Sequence, residues 1–268
     1  MARLPDGCAD LVYIDPPFNT GHDRVHTRLR TVADADGDRA GFAGRRYRSV
    51  PIGTAAYADV FDDYLAFLEP RLRELRRLMA AHASIYVHAD ARESHYVKVL
   101  GDLLFGRENF LNEVVWAYDY GGRTRRRWAP KHDVLLVWVR DRHAYWFDDS
   151  AVDRIPYMAP GLVGPEKAAR GKVPTDTWWH TVVPTAGPER TGYPTQKPLG
   201  VLRRVVAASC PPGGVVLDVF AGSGSAGAAA LELGRRFLCV DSNPQAIAVM
   251  RRRFAGETGI LWVPGADL

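Results

Sequence analysis

Short apolar runs alternate with amphipathic stretches along most of this chain. Leu11 to Asp15, Ser84 to His88, Val215 to Phe220 and Phe237 to Val240 are compact and rich in Val, Ile, Leu and aromatic residues, as strands buried on both faces are. Between them, Asp62 to Ala81, Ser94 to Leu104, Pro198 to Ser209, Ser225 to Leu233 and Pro244 to Phe254 carry the wider apolar spacing of helices. In the first of these, Leu72, Leu75 and Leu78 face inward while Arg71, Arg73, Arg76 and Arg77 form a solvated side. Strands and helices in alternation predict an α/β fold with a mostly parallel sheet and helices on both faces. Glu113 to Tyr118 and Val134 to Arg140 follow one another with no helix between them, so they predict an antiparallel extension of that sheet. After the first strand a long loop is expected to about Ala56. The Pro/Gly-rich stretch from Asp148 to Trp178 and Trp179 reads as an inserted lobe, with at least one of the two tryptophans in its core.

Two motifs carry chemistry. Asp15-Pro16-Pro17-Phe18 closes the first strand. A strand ending in a Pro-rich turn explains it without any function. Its residue types also suit a chemical role. An acidic acceptor, two prolines that stiffen the turn and expose their carbonyls, and an aromatic face fit an exocyclic amino group on a flat heterocycle. Far downstream, the strand ending at Phe220 runs into Ala221-Gly222-Ser223-Gly224-Ser225-Ala226-Gly227 and a helix. Glycines there allow a sharp turn and close approach of the backbone to a ligand. The next strand ends in Asp241, where a carboxylate can accept both hydroxyls of a ribose. Gly222, Gly224 and Gly227 match the dinucleotide fingerprint with an acidic residue roughly 20 positions on, so a nicotinamide oxidoreductase is a rival reading.

Together the motifs resemble the β-class of S-adenosylmethionine-dependent DNA amino-methyltransferases, which methylate adenine N6 or cytosine N4. The order carries the resemblance, because in that class the Asp-Pro-Pro-Phe/Tyr element comes first and the glycine-rich element last. Gly192-Tyr193-Pro194-Thr195-Gln196-Lys197-Pro198-Leu199 is similar to the family's segment ahead of the cofactor strand. Ser84-Ile85-Tyr86-Val87-His88, Phe105 to Phe110, Asn112 to Trp116 and His132-Asp133-Val134-Leu135-Leu136 are similar to its spacers. The resemblance implies a Rossmann-like methyltransferase fold with permuted motif order. It implies Asp15, Pro16, Pro17 and Phe18 as catalytic residues acting on a flipped-out base. For S-adenosylmethionine it implies Asp218, Phe220, Ala221, Gly222, Ser223, Gly224, Asp241, Lys197 and Pro198, with Asp241 on the ribose, Phe220 near the adenosine and Lys197 near the methionine carboxylate. Asp in the first catalytic position leans toward adenine N6 over cytosine N4. Family members commonly carry a further strand ending in Gly-Asp before the catalytic one; only fourteen residues precede Asp15, and that strand is not expected among them. Its absence would favour a catalytically impaired DNA-binding relative. Ala226 stands where a hydroxyl residue is usual.

Composition adds boundaries. A chain of 268 residues that is 47% hydrophobic can bury one large core, and we expect a catalytic half over 1–147, a target-recognition lobe over 148–191 and a cofactor-binding half over 192–268. Net charge is only +4, so clusters matter more than the total. Arg123, Arg125, Arg126, Arg127 and Lys131 surround Trp128 in a Gly-rich loop, and Arg45, Arg46 and Arg48 flank Tyr47; both groups suit DNA phosphates. Double-stranded DNA is then the partner, with a restriction endonuclease as a second one if the enzyme is of restriction-modification type, and a monomer or homodimer as the assembly. No apolar run is long enough to span a bilayer and no leader pattern opens the chain, which points to the cytoplasm. Cys8, Cys210 and Cys239 make neither a disulfide framework nor a metal pattern; no Pro-Cys dipeptide offers the nucleophile that ring-carbon methylation needs. His22, His26 and His132 lack ligand spacing, and no metal is assigned.

Overall fold

The computed structural model describes residues 1–19, 24–34, 36, 39–40, 46–57, 61 and 63–264. The chain forms two units, one of Met1–Phe18 with Asp63–Leu268, the other of Asn19–Asp62. Strand β1 (Ala9–Ile14) belongs to the larger unit. The smaller one pairs β2 (Arg24–Ala33) with β4 (Arg46–Tyr57), and β4 with the two-residue β3 (Arg39–Ala40), all antiparallel. The long loop expected here is therefore corrected to a hairpin sheet. The missed signal is a period of two, Val25, Thr27, Leu29 and Thr31 alternating with Arg24, His26, Arg28 and Arg30; the density of arginine disguised it. A register shift lies opposite Arg28 and Leu29, beside Pro51, and a bulge is where a strand tolerates a proline.

In the larger unit, β1 is followed by α1 (Tyr64–Leu78), β5 (Met79–Ala89), α2 (Ser94–Phe105), β6 (Phe110–Ala117), β7 (His132–Val139), α3 (Pro165–Arg170), β8 (Thr177–Trp179), α4 (Leu199–Ser209), β9 (Val215–Asp218), α5 (Ser225–Glu232), β10 (Arg236–Cys239) and α6 (Pro244–Arg253). Helix starts follow local chemistry. The Asp63 side chain accepts from the Ala66 N–H, and Asn243 accepts from Gln245 ahead of Pro244 in the first turn of α6. The seven strands lie in the order β10-β9-β1-β5-β7-β6-β8. Pairings β10–β9, β9–β1, β1–β5 and β6–β8 are parallel, while β7 runs antiparallel to both β5 and β6, as the sequence predicted for the two helix-free runs.

Alternation along the strands fills both faces of the sheet. Leu11, Tyr13 and Val216 join Val201, Leu202, Val205 and Val206 of α4 and Ala229 of α5 in one buried cluster. Val12, Ile14, Ile85 and Val87, which alternate to the other face, are fully buried, as are Leu68, Leu72, Leu75 and Leu78 of α1 and Val97 of α2. Burial on both sides is why these strands read as unbroken apolar runs. Among the described residues no helix is long and apolar enough to cross a membrane.

The topology places the site. From β1 the earlier part of the chain builds outward through β5, and the later part builds the other way through β9 and β10. In such a sheet the crevice beyond the carboxyl ends of the strands at this switch point is the ligand position. Leu11 pairs with Val216 and Val12 with Leu217, so Asp15 and the loop after Asp218 emerge side by side.

Candidate active site

Asp15 leaves β1 half-buried, followed by buried Pro16 and half-buried Pro17 and Phe18. Its Oδ2 accepts from the Lys197 ammonium at 2.5 Å. Its Oδ1 is buried and, among the described residues, is the one such side-chain atom without a hydrogen-bond partner. Behind it His88, fully buried on β5, brings Nδ1 to 3.4 Å from that oxygen. The Tyr13 hydroxyl lies 3.2 Å from the same Nδ1, and Nε2 lies 3.2 Å from Asp133 Oδ2. Tyr118 donates to Asp133 Oδ1 at 3.1 Å. The Phe18 ring closes the front, 5.3 Å from the His88 ring and 5.1 Å from the Lys197 ammonium. Trp116 meets the imidazole edge-on at 5.5 Å.

Electrostatics follow from burial. It pushes the Tyr13 hydroxyl well above the usual phenol range, with the charges of Asp15, Asp218 and Asp133 adding to it, so this hydroxyl stays protonated. For Asp133 burial opposes ionisation, but the hydrogen bond from His88, the charge of Lys197 and the bond from Tyr118 hold the carboxyl below its ordinary value. Burial also raises Tyr118, with Asp133 beside it.

Lys197 is aimed by a tight loop. Thr191 donates through N and Oγ1 to Gln196 Oε1, Gln196 Nε2 donates to the Glu189 carbonyl, and Glu189 Oε2 caps α4 by accepting from Leu199 N–H. Pro198, at the start of that helix, has no N–H to offer. Thr195 adopts φ 57, a backbone state costing a β-branched residue on the order of 1–3 kcal/mol. That turn carries Lys197 back toward β1.

The glycine loop is latched to its surroundings. Asp218, fully enclosed, accepts from the Phe220 N–H at 3.0 Å; Asp241 accepts from Gly222 and Asn243 N–H at 2.7 and 2.8 Å. Burial raises both carboxyls, Asp218 well above its ordinary value with Asp15 and Asp241 adding to the rise, while backbone N–H bonds partly offset it at Asp241. Ala221 N–H donates to the Val240 carbonyl. Gly222 has φ +50, and a Cβ there would sit 3.0 Å from the Tyr193 ring; a Cβ on Gly227 would meet Cys239 and Phe237 of the neighbouring strand at 2.9 Å. These are the demands of a tight turn and of close helix–strand packing. Phe220 is half-buried, its ring 6.2 Å from Phe67. Buried Ser223 and Gly224 lead into α5. There Ser225 Oγ donates to the Lys197 carbonyl, and Arg253 holds the Ser223 carbonyl and Ser225 Oγ at 3.0 and 3.1 Å. The two motifs, distant in the chain, are thus tied through Lys197.

The basic candidates fall elsewhere. Arg123, Arg125, Arg126 and Arg127 are exposed on the connection between β6 and β7, with Trp128 97% exposed among them. Lys131 spans the base of this loop, its ammonium bonded to the Tyr120 and Gly121 carbonyls at 2.9 Å each. Arg46 is exposed on β4, and Arg45 lies outside the described residues. Trp178 is buried while its neighbour Trp179 is 75% exposed. Asp153 binds Arg204 of α4 through two 2.7 Å bonds, which anchor the 148–191 stretch to the core.

His88, Asp133, Tyr13, Tyr118, Ser225 and Arg253 were not singled out from sequence as site residues. The available signal was His88 itself, a polar residue inside a strand whose neighbours demand burial on both faces, which requires partners.

Comparison with known proteins places the chain in a family. DNA adenine methyltransferase YhdJ of Escherichia coli (strain K12) is 26% identical over 266 residues, covering 94% of this chain and 78% of that protein. Type II methyltransferase M.HpaI of Haemophilus parainfluenzae is 25% identical over 257 residues, covering 96% and 71%. Among solved structures, PvuII DNA methyltransferase (cytosine-N4-specific) shares the fold with a TM-score of 0.64 at 12% identity over 97% of this chain and 84% of that one. The M1.HpyAVI–SAM complex does so with 0.55 at 16% identity over 94% and 90%. The N6/N4 DNA methylase profile matches residues 9–252, from the strand that delivers Asp15 to the helix that holds the glycine loop. That span leaves no room for the nicotinamide reading: the chain belongs to the N6/N4 DNA methylase family.

Proposed function

We propose that this protein transfers a methyl group from S-adenosylmethionine to the exocyclic N6 of adenine, flipped out of double-stranded DNA. The observation that carries the reading is Asp15 Oδ1, a buried acceptor without a partner in the mouth formed by Pro16, Pro17 and Phe18 and beside the glycine loop. A buried unmet acceptor costs about 1–3 kcal/mol, and a donor arriving with the substrate removes that cost. An amino N–H is such a donor.

The residues present also fit the methyl donor. The loop from Asp218 to Gly224 turns where a side chain at Gly222 would collide with Tyr193, and Asp241 stands at the end of β10 to take ribose hydroxyls. Bound there, S-adenosylmethionine supplies an electrophilic methyl on a positively charged sulfur. Asp15 and the Pro16 carbonyl accept the two amino hydrogens, which concentrates the nitrogen lone pair outside the ring. As positive charge develops on that nitrogen, the carboxylate stabilises it without rearrangement. Phe18 stacks on the base, and Lys197 orients Asp15 through the bond to Oδ2. Extrusion of the base is needed because a concave pocket cannot reach a paired amino group.

We assign catalysis to 1–147, target recognition to 148–191 and the cofactor to 192–268, with the arginine loop and the Arg45–Arg46 pair on DNA phosphates. We place the enzyme in the cytoplasm, where DNA is at hand and three unbridged cysteines fit. If it belongs to a restriction-modification pair, a restriction endonuclease is its partner; otherwise it is an orphan enzyme. Asp at the first catalytic position and the adenine methyltransferase of E. coli favour adenine; the PvuII likeness favours cytosine N4 as the second reading. Incubating the protein with S-adenosylmethionine and unmethylated genomic DNA, then chromatographing the nucleosides, distinguishes them. N6-methyladenine is expected, N4-methylcytosine would give the second reading, and no methylated base would overturn both.

A further inference from the structure

Methylating an amino nitrogen leaves a proton to be removed, and the structure offers a place for it behind Asp15. We propose that His88 is the proton acceptor that acts through Asp15, a positioning residue buried one layer beneath the reacting nitrogen. The inference rests on the amino-methylation proposed above.

Asp133 is an ionised acceptor 3.2 Å from Nε2, so the neutral imidazole carries its hydrogen on Nε2. Nδ1 then has a free lone pair and accepts from the Tyr13 hydroxyl, which burial keeps protonated. In this state His88 gives nothing to Asp15, in keeping with the unmet Oδ1 at 3.4 Å. The base is preset to receive a proton and is not yet holding one.

During transfer the nitrogen lone pair forms the new N–C bond, and the C–S pair returns to the sulfur of the sulfonium donor. One N–H bond of the methylated nitrogen breaks, its electron pair going back to nitrogen. The proton passes to Asp15 Oδ1 and on to His88 Nδ1 as the Tyr13 hydroxyl turns away. The imidazolium is then held between two carboxylates, and it releases the proton to water when product leaves. The titratable and charged groups around it are Tyr13 and Asp15 from β1 and Asp133 from β7, with Lys197, Tyr118 and Asp218 one layer further out. Trp116 and Phe18 complete the wall.

Two measurements test this. In protein labelled with 15N-histidine, the His88 signal, identified by its loss in His88→Gln or by its movement in Asp133→Asn, is expected to be the neutral Nε2–H tautomer at neutral pH. An Nδ1–H tautomer or an imidazolium there would overturn the proposal, because neither can take the proton, and this readout does not depend on turnover. Single-turnover methyl transfer should fall on the acid side in the wild type. His88→Gln, which keeps an amide for Asp133, should slow transfer at least tenfold, abolish the acid limb and leave affinity for DNA and cofactor unchanged. Asp133→Asn should move the limb to lower pH, since loss of the carboxylate destabilises the imidazolium. An acid limb unchanged in both variants would reduce His88 to a packing role. A wild type that binds the cofactor and labels no DNA would instead sink the amino-methylation itself, so the two failures are distinguishable.

Discussion

The two oxygens of Asp15 stand in different surroundings, one bonded to the Lys197 ammonium and the other without a hydrogen-bond partner, 3.4 Å from His88, and that asymmetry is what suits the residue to the proposed catalytic role. Neighbouring carboxylates are assigned by what they already hold. Asp241 uses backbone N–H groups to fix the loop, and in the proposed reading the same carboxylate takes the ribose; Asp241→Ala should then weaken S-adenosylmethionine binding at least tenfold in calorimetry, in line with the loss of charged hydrogen bonds. Asp218 is different. Its carboxyl is raised by burial above its unfolded value, so its stabilisation is complete below the unfolded pKa and is lost as pH rises through the folded one. Melting temperature should therefore decline as pH rises above the ordinary carboxylate range. Asp218→Asn, which keeps an acceptor for the Phe220 N–H, should raise the melting temperature at pH 8 and flatten that decline. A variant less stable than wild type at pH 8 would show that the ionised carboxylate is needed.

At the scale of elements, the β6–β7 connection is rooted in the catalytic cluster, since Tyr118 at its start and Asp133 just after its end are bonded to each other. It carries the arginines outward from there. Replacing Arg125, Arg126 and Arg127 with Ala should lower DNA affinity and reduce the salt slope by about 0.9 for each phosphate no longer neutralised; a slope equal to the wild type's would remove this loop from the interface. Most elements of the larger unit were legible, because strands buried on both faces and helices with one apolar side leave unmistakable spacing. What escaped was pairing between distant segments. The β2–β4 hairpin hid under its arginines. Strand β8 could not be read from Thr177-Trp178-Trp179 alone, since three residues have no period and its place beside β6 is set by tertiary packing. The Asp15–Lys197 pair joins positions 182 residues apart, and no local pattern announces that an ammonium expected at the cofactor turns to the catalytic carboxylate.

For the whole molecule, one topological fact organises the rest. A chain whose Asp-Pro-Pro-Phe motif comes first and whose glycine loop comes last still brings the two together, because β1 and β9 are neighbours at the switch point of the sheet. The Lys197 carbonyl on Ser225 and the Lys197 ammonium on Asp15 then hold both motifs in one rigid frame. Net charge of +4 is too small to steer DNA binding by itself, which is why the proposed phosphate contacts rest on local arginines. Whether Asp15 activates the adenine amino nitrogen is decided by comparing wild type with Asp15→Ala. Each is mixed with S-adenosylmethionine carrying a radiolabelled methyl and with unmethylated DNA, while cofactor affinity is measured in parallel. The account predicts label in N6-methyladenine for the wild type, a loss of at least a hundredfold for the variant, and unchanged cofactor affinity. Methylation that survives in Asp15→Ala, or a variant whose only defect is cofactor binding, would contradict it.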